Sequence, residues 1–183
     1  MFRALISGPI TLRLIGHDNL AEVCETLQGH PDSSEMLEEL FRYYLPTYDT
    51  QGRRTTYGFS AWLRGELAGM VALAVDDWDA LAGSLGADVF RHMRGQGVAP
   101  GSKPPLFYLA FELLGLNRVA TGHAVSNVAS QHSLAKTQGL AYEGRMRESG
   151  RNEQGELEDE LLYAILRRDW QQLYDPRAVE VVK

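Results

Sequence analysis

The apolar positions of this chain change period several times, and each change marks an element. "ITLRLI" (residues 10–15) alternates apolar and polar residues, the period of a strand with one buried face. Beyond Asp18, the residues Leu20, Val23, Cys24 and Leu27 fall three or four apart, the period of a helix with one apolar stripe. Cys24 lies on that stripe, where a free cysteine packs as a small hydrophobe. Met36, Leu37, Leu40, Phe41 and Tyr44 give a second helix, which Pro46 ends. Asp32 and Glu35 have the spacing of a capping box at its start. "TYDTQGRR" is then a polar loop. "TTYGFSAWLRGELAGMVALAV" reads as two strands joined by a turn at Arg64-Gly65-Glu66. "DDWDALAG" is a connection and "SLGADVF" a fourth strand.

"LFYLAFELLGL" is helical and stops near Gly115, the usual glycine terminator. "RVATGHAV" is a strand, and "NVASQHSLAKTQ" a helix with Gly139 after it. "LAYEGRMRE" and "ELLYAILRRDW" are strands on either side of the polar connection "SGRNEQGELED". The predicted order is strand, two helices, three strands, helix, strand, helix, two strands. No linker, repeat or low-complexity segment divides it. This order implies one α/β domain over residues 1–183, with a mixed sheet and helices on both faces. Such sheets bind ligands outside the C-terminal ends of strands that diverge.

Composition narrows the function classes. The chain has 183 residues, enough for one sizeable core, and 44% of them are apolar. Its net charge of −6 disfavours a nucleic-acid binder, which carries a basic face, and suits a small cationic substrate or basic peptide. One cysteine excludes an internal disulfide and fits a reducing compartment. "MFRALISGPITLRLI" lacks the continuous apolar core of a signal peptide. No apolar run approaches the roughly 20 residues that span a bilayer. The expected location is the cytoplasm, without a membrane or nucleic-acid partner.

The candidate chemistry begins in "FRHMRGQGVAPGSKPP" (residues 90–105), a loop after a strand and before a helix. Gly95 and Gly97 remove side chains, so that successive N–H groups can converge on one anion, and Arg94 adds a positive charge. Gly-Lys-Ser/Thr is absent, so an ATP-type P-loop is not supported. No acidic residue stands about 20 positions on to take a ribose, which opposes a dinucleotide fold.

Several segments, in order, resemble one family. "RGQGVA" (residues 94–99) matches the [QR]-x-x-G-x-[GA] signature of the GNAT acetyltransferase superfamily. "FYLAFELLGLNRV", "NVAS", "GLAYEGRMRE" and "DELLYAILRRDW" resemble the motifs of its branch that includes ribosomal-protein N-terminal acetyltransferases. The resemblance spans residues 10–170 and is densest from Leu85 onward. It implies a mostly antiparallel mixed sheet with one splayed strand pair, and transfer of an acetyl group from acetyl-CoA to a primary amine, without a metal. The amides of Gly95, Gln96, Gly97, Val98 and Ala99, beside Arg94, would hold the CoA pyrophosphate. The strand edge near Val89 would pair with the pantetheine, and Asn127 and Ser130 would lie near the thioester. The acceptor would be a protein N-terminus, an amino acid, or a small drug-like or polyamine compound, and a homodimer is compatible with the family.

Transfer requires close approach of the reactants, a proton acceptor and stabilised developing charge. Ser130 is the candidate hydroxyl donor to the leaving sulfur; its alternative is a helix residue bonded to its own backbone. Glu148 is the candidate base; its alternative is a solvated charge. Asn127 reads equally as the N-cap of its helix. Asp159 and Tyr163 are read as structural. His123 and His132 are candidate proton shuttles. Trp62, Tyr43 and Tyr44 are candidates for an acceptor pocket or for core. "DDWD" (residues 76–79) reads as a solvated loop or a lure for cations.

Two departures matter. Gly101, Ser102, Lys103, Pro104 and Pro105 stand where the family runs a continuous helix from its glycine loop. Proline lacks an N–H and pushes its predecessor towards extended backbone. The expectation is therefore a turn, then a helix restarting near Pro104 or Pro105. The interval from Asn127 to Gly139 is also one residue long, and Leu134 and Ala135 stand where many relatives carry an aromatic hydroxyl. Both features motivate an alternative: a GNAT fold without catalysis that binds CoA or another protein.

Overall fold

The chain is described by a computed structural model over residues 2–152 and 154–183. Met1, in the N-terminal stretch read above, and Glu153, in the predicted polar connection, lie outside the described residues. A hairpin of β1 (Ala4–Ser7) and β2 (Ile10–Leu14) opens the fold. Helix α1 (Leu20–Gln28) and helix α2 (Ser33–Glu39) follow, and α2 continues into a wide π-helical turn at Leu40–Tyr44. Next come β3 (Thr56–Leu63), β4 (Glu66–Asp77) and β5 (Ala82–Val89). Helix α3 (Val98–Tyr108) leads to β6 (Arg118–Ala124), α4 (Val128–Ala135), β7 (Ala141–Arg151) and β8 (Leu157–Leu166). Helix α5 (Arg167–Leu173) and β9 (Glu180–Val182) complete it.

The strands form one sheet in the order β7-β8-β6-β5-β4-β3-β2-β1-β9. All pairings are antiparallel except β5 with β6. The β3–β4 turn falls where the sequence places it. Arg64 (φ 52°) and Gly65 (φ 89°) both take the left-handed region that a two-residue hairpin turn needs. Strands β1 and β9 were not foreseen. Four and three residues are too short to show a period, and they hold each other through Arg3 N–H to the Val182 carbonyl at 2.7 Å.

Helices cover both faces. Gly58 of β3 meets the wide turn after α2; a Cβ there would lie 2.0 Å from the Tyr44 carbonyl oxygen. Leu12, Ala61 and Phe59, fully buried, point to the opposite face. On that face Gly101 of α3 presses on Ile10, so α3 crosses β1 to β5 there.

Three expectations are corrected. First, α3 is continuous from Val98 to Tyr108 and runs on through a π-helical turn to Leu113, with Pro104 and Pro105 inside it. Each interior proline costs about 3 kcal/mol. Burying each of Leu106, Phe107, Leu109 and Phe111 contributes about 1.5–3 kcal/mol, and all four are buried, so packing outweighs the local rule. Second, "RRDW" is not strand but the start of α5. The turn of helix brings Trp170 onto Phe111, with ring centroids 5.5 Å apart. Third, Asp32 and Glu35 make no capping box. Asp32 accepts from the Arg91 N–H at 2.9 Å, and Glu35 from the Arg91 guanidinium at 3.2 Å. The two carboxylates thereby pin the 3-10 turn Arg91–Met93, which leads from β5 into the glycine loop.

Candidate active site

The site begins where β5 and β6 part. Their parallel pairing covers only Ala82–Ser84 against Arg118–Ala120. Beyond it the β5 segment Leu85–Val89 pairs as a strand only with β4 among the described residues; its other edge, where the Thr121 hydroxyl donates to the Leu85 carbonyl at 3.4 Å, faces a cleft. The far wall is the β6 segment Thr121–Ala124, which pairs with β8 instead. The glycine loop, the first two turns of α3 and helix α4 close the cleft, whose volume is about 920 Å³. The splayed pair expected from the resemblance is thus present.

In the glycine loop, Gly95 (φ 79°) and Gly97 (φ 89°) adopt left-handed backbone, and Gly97 is the residue from which α3 starts. An added Cβ at either would meet nothing within 4 Å. Their conformation, not crowding by the protein, demands glycine. Among the described residues, none of the amides of Gly95, Gln96, Gly97, Val98 and Ala99 donates a hydrogen bond. Pro100 has no amide hydrogen, and Gly101 N–H returns to the Gly97 carbonyl at 2.9 Å. Five consecutive unused donors at a helix N-terminus have the geometry in which an anion can be held. Arg94 is exposed and donates from Nε to the Val89 carbonyl at 3.3 Å, which bends it back over the end of β5. Gln96 spends its side chain on the His92 carbonyl.

Across the cleft, Asn127 caps α4: its Oδ1 accepts the Ser130 N–H at 2.9 Å. Asn127 and Ser130 both line the cleft, and residues 136–139 form the turn after the helix. His132 lies exposed on the same helix and lines the cleft too. His123 is 5% exposed. Its Nδ1 lies 2.8 Å from the Ala124 carbonyl and must donate, so the neutral ring leaves Nε2 as acceptor. That Nε2 is buried without a partner among the described residues.

Other candidates stand elsewhere. Glu148 does not line the cleft; it sits in a bulge of β7 with φ 52°, exposed, its N–H held by Asp159 at 2.8 Å. Asp159 also accepts from Arg145, and these bonds hold its carboxyl below the ordinary range. Tyr163 packs between His123 and Tyr142. Both therefore serve structure. Trp62 carries the Arg13 guanidinium on its face, 4.1 Å from the ring centre, and Tyr43 is exposed, both away from the cleft. Asp77 accepts from the amides of Asp79 and Ala80, and Asp76 from Ser84, so "DDWD" is a structured turn. Cys24 is half-buried against the core.

Two cleft residues had no signal in the sequence. Asp88, near the end of β5, accepts at Oδ2 from the Tyr44 hydroxyl at 2.6 Å. Lys103, on α3, is buried beside Ser133 of α4.

The family model for the acetyltransferase (GNAT) domain matches residues 10–139. The chain belongs to the GNAT acetyltransferase family. A Bacillus subtilis (strain 168) protein named "Putative ribosomal N-acetyltransferase YdaF" is 32% identical over 107 residues. The match takes in 58% of this chain and 57% of that relative, so the chain spans little more than half of its length. That name falls within the GNAT branch whose motifs the chain resembles.

Solved GNAT-like structures show the fold at lower identity. One, described as a "putative acetyltransferase", has a TM-score of 0.69 at 20% identity over 94% of this chain and 90% of its own. Spermidine N-acetyltransferase from Vibrio cholerae, in complex with CoA and spermine, has a TM-score of 0.65 at 16% identity over 89% and 98%. Among the described residues no helix is long and apolar enough to cross a membrane, and no three acidic, histidine or cysteine side chains group as metal ligands.

Proposed function

We propose that this GNAT protein transfers an acetyl group from acetyl-CoA to a primary amine, both held in the cleft at once. One observation carries the reading: five unbonded amides, Gly95 to Ala99, sit at the mouth of a parted strand pair. The cradle suits a diphosphate, and the open edge of Leu85–Val89 suits pantetheine, whose amides extend a strand as a peptide would. Bound acetyl-CoA supplies a thioester to an attacking amine.

The residues of the chain then have separate tasks. The loop amides and Arg94 fix the donor by its phosphates, and the Val89 edge and Asn127 by its pantetheine. Ser130 donates a hydrogen bond to the departing sulfur. Asp88 accepts the proton of the ammonium, directly or through water, in place of Glu148, which stands outside the cleft. Tyr44 keeps Asp88 in one orientation. The phenol is held protonated, because burial and then the Asp88 charge push its pKa well above the ordinary value. Tyr44 reaches Asp88 from the sheet face opposite α3, so the acceptor enters on that side and the donor on the other. Burial and then the Asp88 charge raise the pKa of Glu39 as well, which marks an acidic approach suited to a cationic amine.

The non-catalytic alternative loses one of its grounds, because the prolines do not interrupt α3. The test is calorimetric titration with CoA, followed by thiol release from acetyl-CoA with N-terminal peptides and small amines. Binding with amine-dependent release is expected; binding that no amine converts into release would leave a CoA-binding module.

A further inference from the structure

Lys103 is a charged residue where the fold calls for an apolar one. It stands in the second turn of α3, with Ser102, Pro105, Leu106 and Phe107 buried around it, and is itself 7% exposed. Helical side chains lean towards the N-terminus, and this one brings Nζ back beside the first turn. There Nζ donates to the Ala99 carbonyl at 3.4 Å and, across to α4, to the Ser133 hydroxyl at 3.0 Å. Both partners are neutral, and among the described residues no carboxylate pairs with it. An ammonium carries three N–H groups, so one is left over. Burial alone pushes its pKa down to about 8.

A buried ammonium without a counter-ion weakens a fold. Methionine would fill the same space without that cost. Among the described residues nothing supplies that counter-ion, and the charge faces the cleft. Lys103, Ala99 and Ser133 all line the cleft, on the flank where α3 faces α4, and Lys136 and His132 line that flank as well. The loop amides open one helical turn away.

We propose that Lys103 is a second anion contact of this cleft, and that it receives a phosphate group of the coenzyme's nucleotide end on the α3–α4 flank. The inference rests on the reading of the cleft as a CoA site. It adds a side-chain cation, held inside the wall, to the backbone cradle of the loop. The phosphate completes the third N–H of the ammonium and supplies the counter-charge that no described residue provides, so ligand binding relieves a cost present in the free protein.

The experiment compares the wild type with K103M by calorimetry, using coenzyme A, 3′-dephospho-CoA and pantetheine, with thermal unfolding of each protein without ligand. K103M is expected to bind coenzyme A at least tenfold more weakly, to bind pantetheine as the wild type does, and to melt at the same or a higher temperature. A tenfold loss that persists with 3′-dephospho-CoA assigns the contact to the diphosphate; a loss that vanishes assigns it to the 3′-phosphate. A wild type that binds coenzyme A and a K103M that binds it equally tightly overturn this inference and leave the functional reading standing. A K103M that melts lower and loses affinity for all three ligands alike makes Lys103 a structural residue and also overturns it. A wild type that binds no coenzyme A overturns both.

Discussion

The hydroxyl of Tyr44 donates to Oδ2 of Asp88 across 2.6 Å, joining the wide turn after α2 to the end of β5 at the rim of the cleft. Forty-four positions separate the two residues. The bond fixes a carboxylate beside parted strands and, in the proposed reaction, ties the side taken by the acceptor to the side taken by the donor. D88N is therefore expected to lower kcat by about 100-fold or more, the range for a lost proton acceptor. The Kd for CoA should stay within about twofold, and E148Q should change neither. Steady-state kinetics beside calorimetry decide it, and the reverse ranking of the two variants would restore Glu148 as the base.

Y44F removes only the donor. Bonds to charged groups contribute about 1.5–3 kcal/mol, so unfolding in urea should show a loss of that order. Turnover should fall with little change in CoA affinity, since Asp88 loses its orientation and not its charge.

Gly97→Glu should abolish CoA binding. The site has room for the side chain, because nothing stands within 4 Å of an added Cβ, and the new carboxylate enters the anion cradle. The left-handed backbone costs a non-glycine residue about 1–2 kcal/mol, so Gly97→Ala provides the control. It should lose stability by that amount and keep much of its affinity. Equal CoA affinity in Gly97→Glu and wild type would remove the loop from the site.

Ser130→Ala should slow turnover more than it weakens CoA binding. Asn127→Ala acts differently, because its Oδ1 caps α4; about 1 kcal/mol of stability should go with the cap. An unchanged kcat in Ser130→Ala would return Ser130 to a purely helical role.

The lysine inside the cleft wall predicts a pH dependence of the free protein. Its pKa is about 8 in the fold, against 10.5 when solvated. Between these values the unfolded chain binds the extra proton, so stability rises with pH. The penalty is full below about 8 and is relieved towards 10.5, by about 1.4 kcal/mol per pH unit at most. Relative to K103M, the wild type should gain stability over that window; parallel profiles would show that Lys103 is solvated.

How much of this was legible beforehand depends on the range of the physical signal. Periodicity and turn chemistry act within a few residues. They gave the helix over residues 20–28, the β3–β4 hairpin, the glycine stop at Gly115 and the cap at Asn127. The loop motif gave the glycines at Gly95 and Gly97 and the helix that follows them, because a left-handed backbone and a helix start are local facts. All these readings concern backbone conformation that a short segment prefers alone.

Only the tertiary structure decided the rest. Pro104 and Pro105 forbid a helix by local rules, but the core over Leu106 to Phe111 holds one together. Asp32 and Glu35 have the spacing of a cap, yet Arg91, 59 and 56 positions away, takes their carboxylates. Asp88 meets Tyr44, and Lys103 meets Ser133, through the register of the sheet and the crossing of helices, neither of which is written in any window of sequence. Glu148 has a reasonable place in its motif, but a bulge in β7 keeps it out of the cleft. The chain's local preferences determined which elements form; the burial of their shared faces determined which side chains meet.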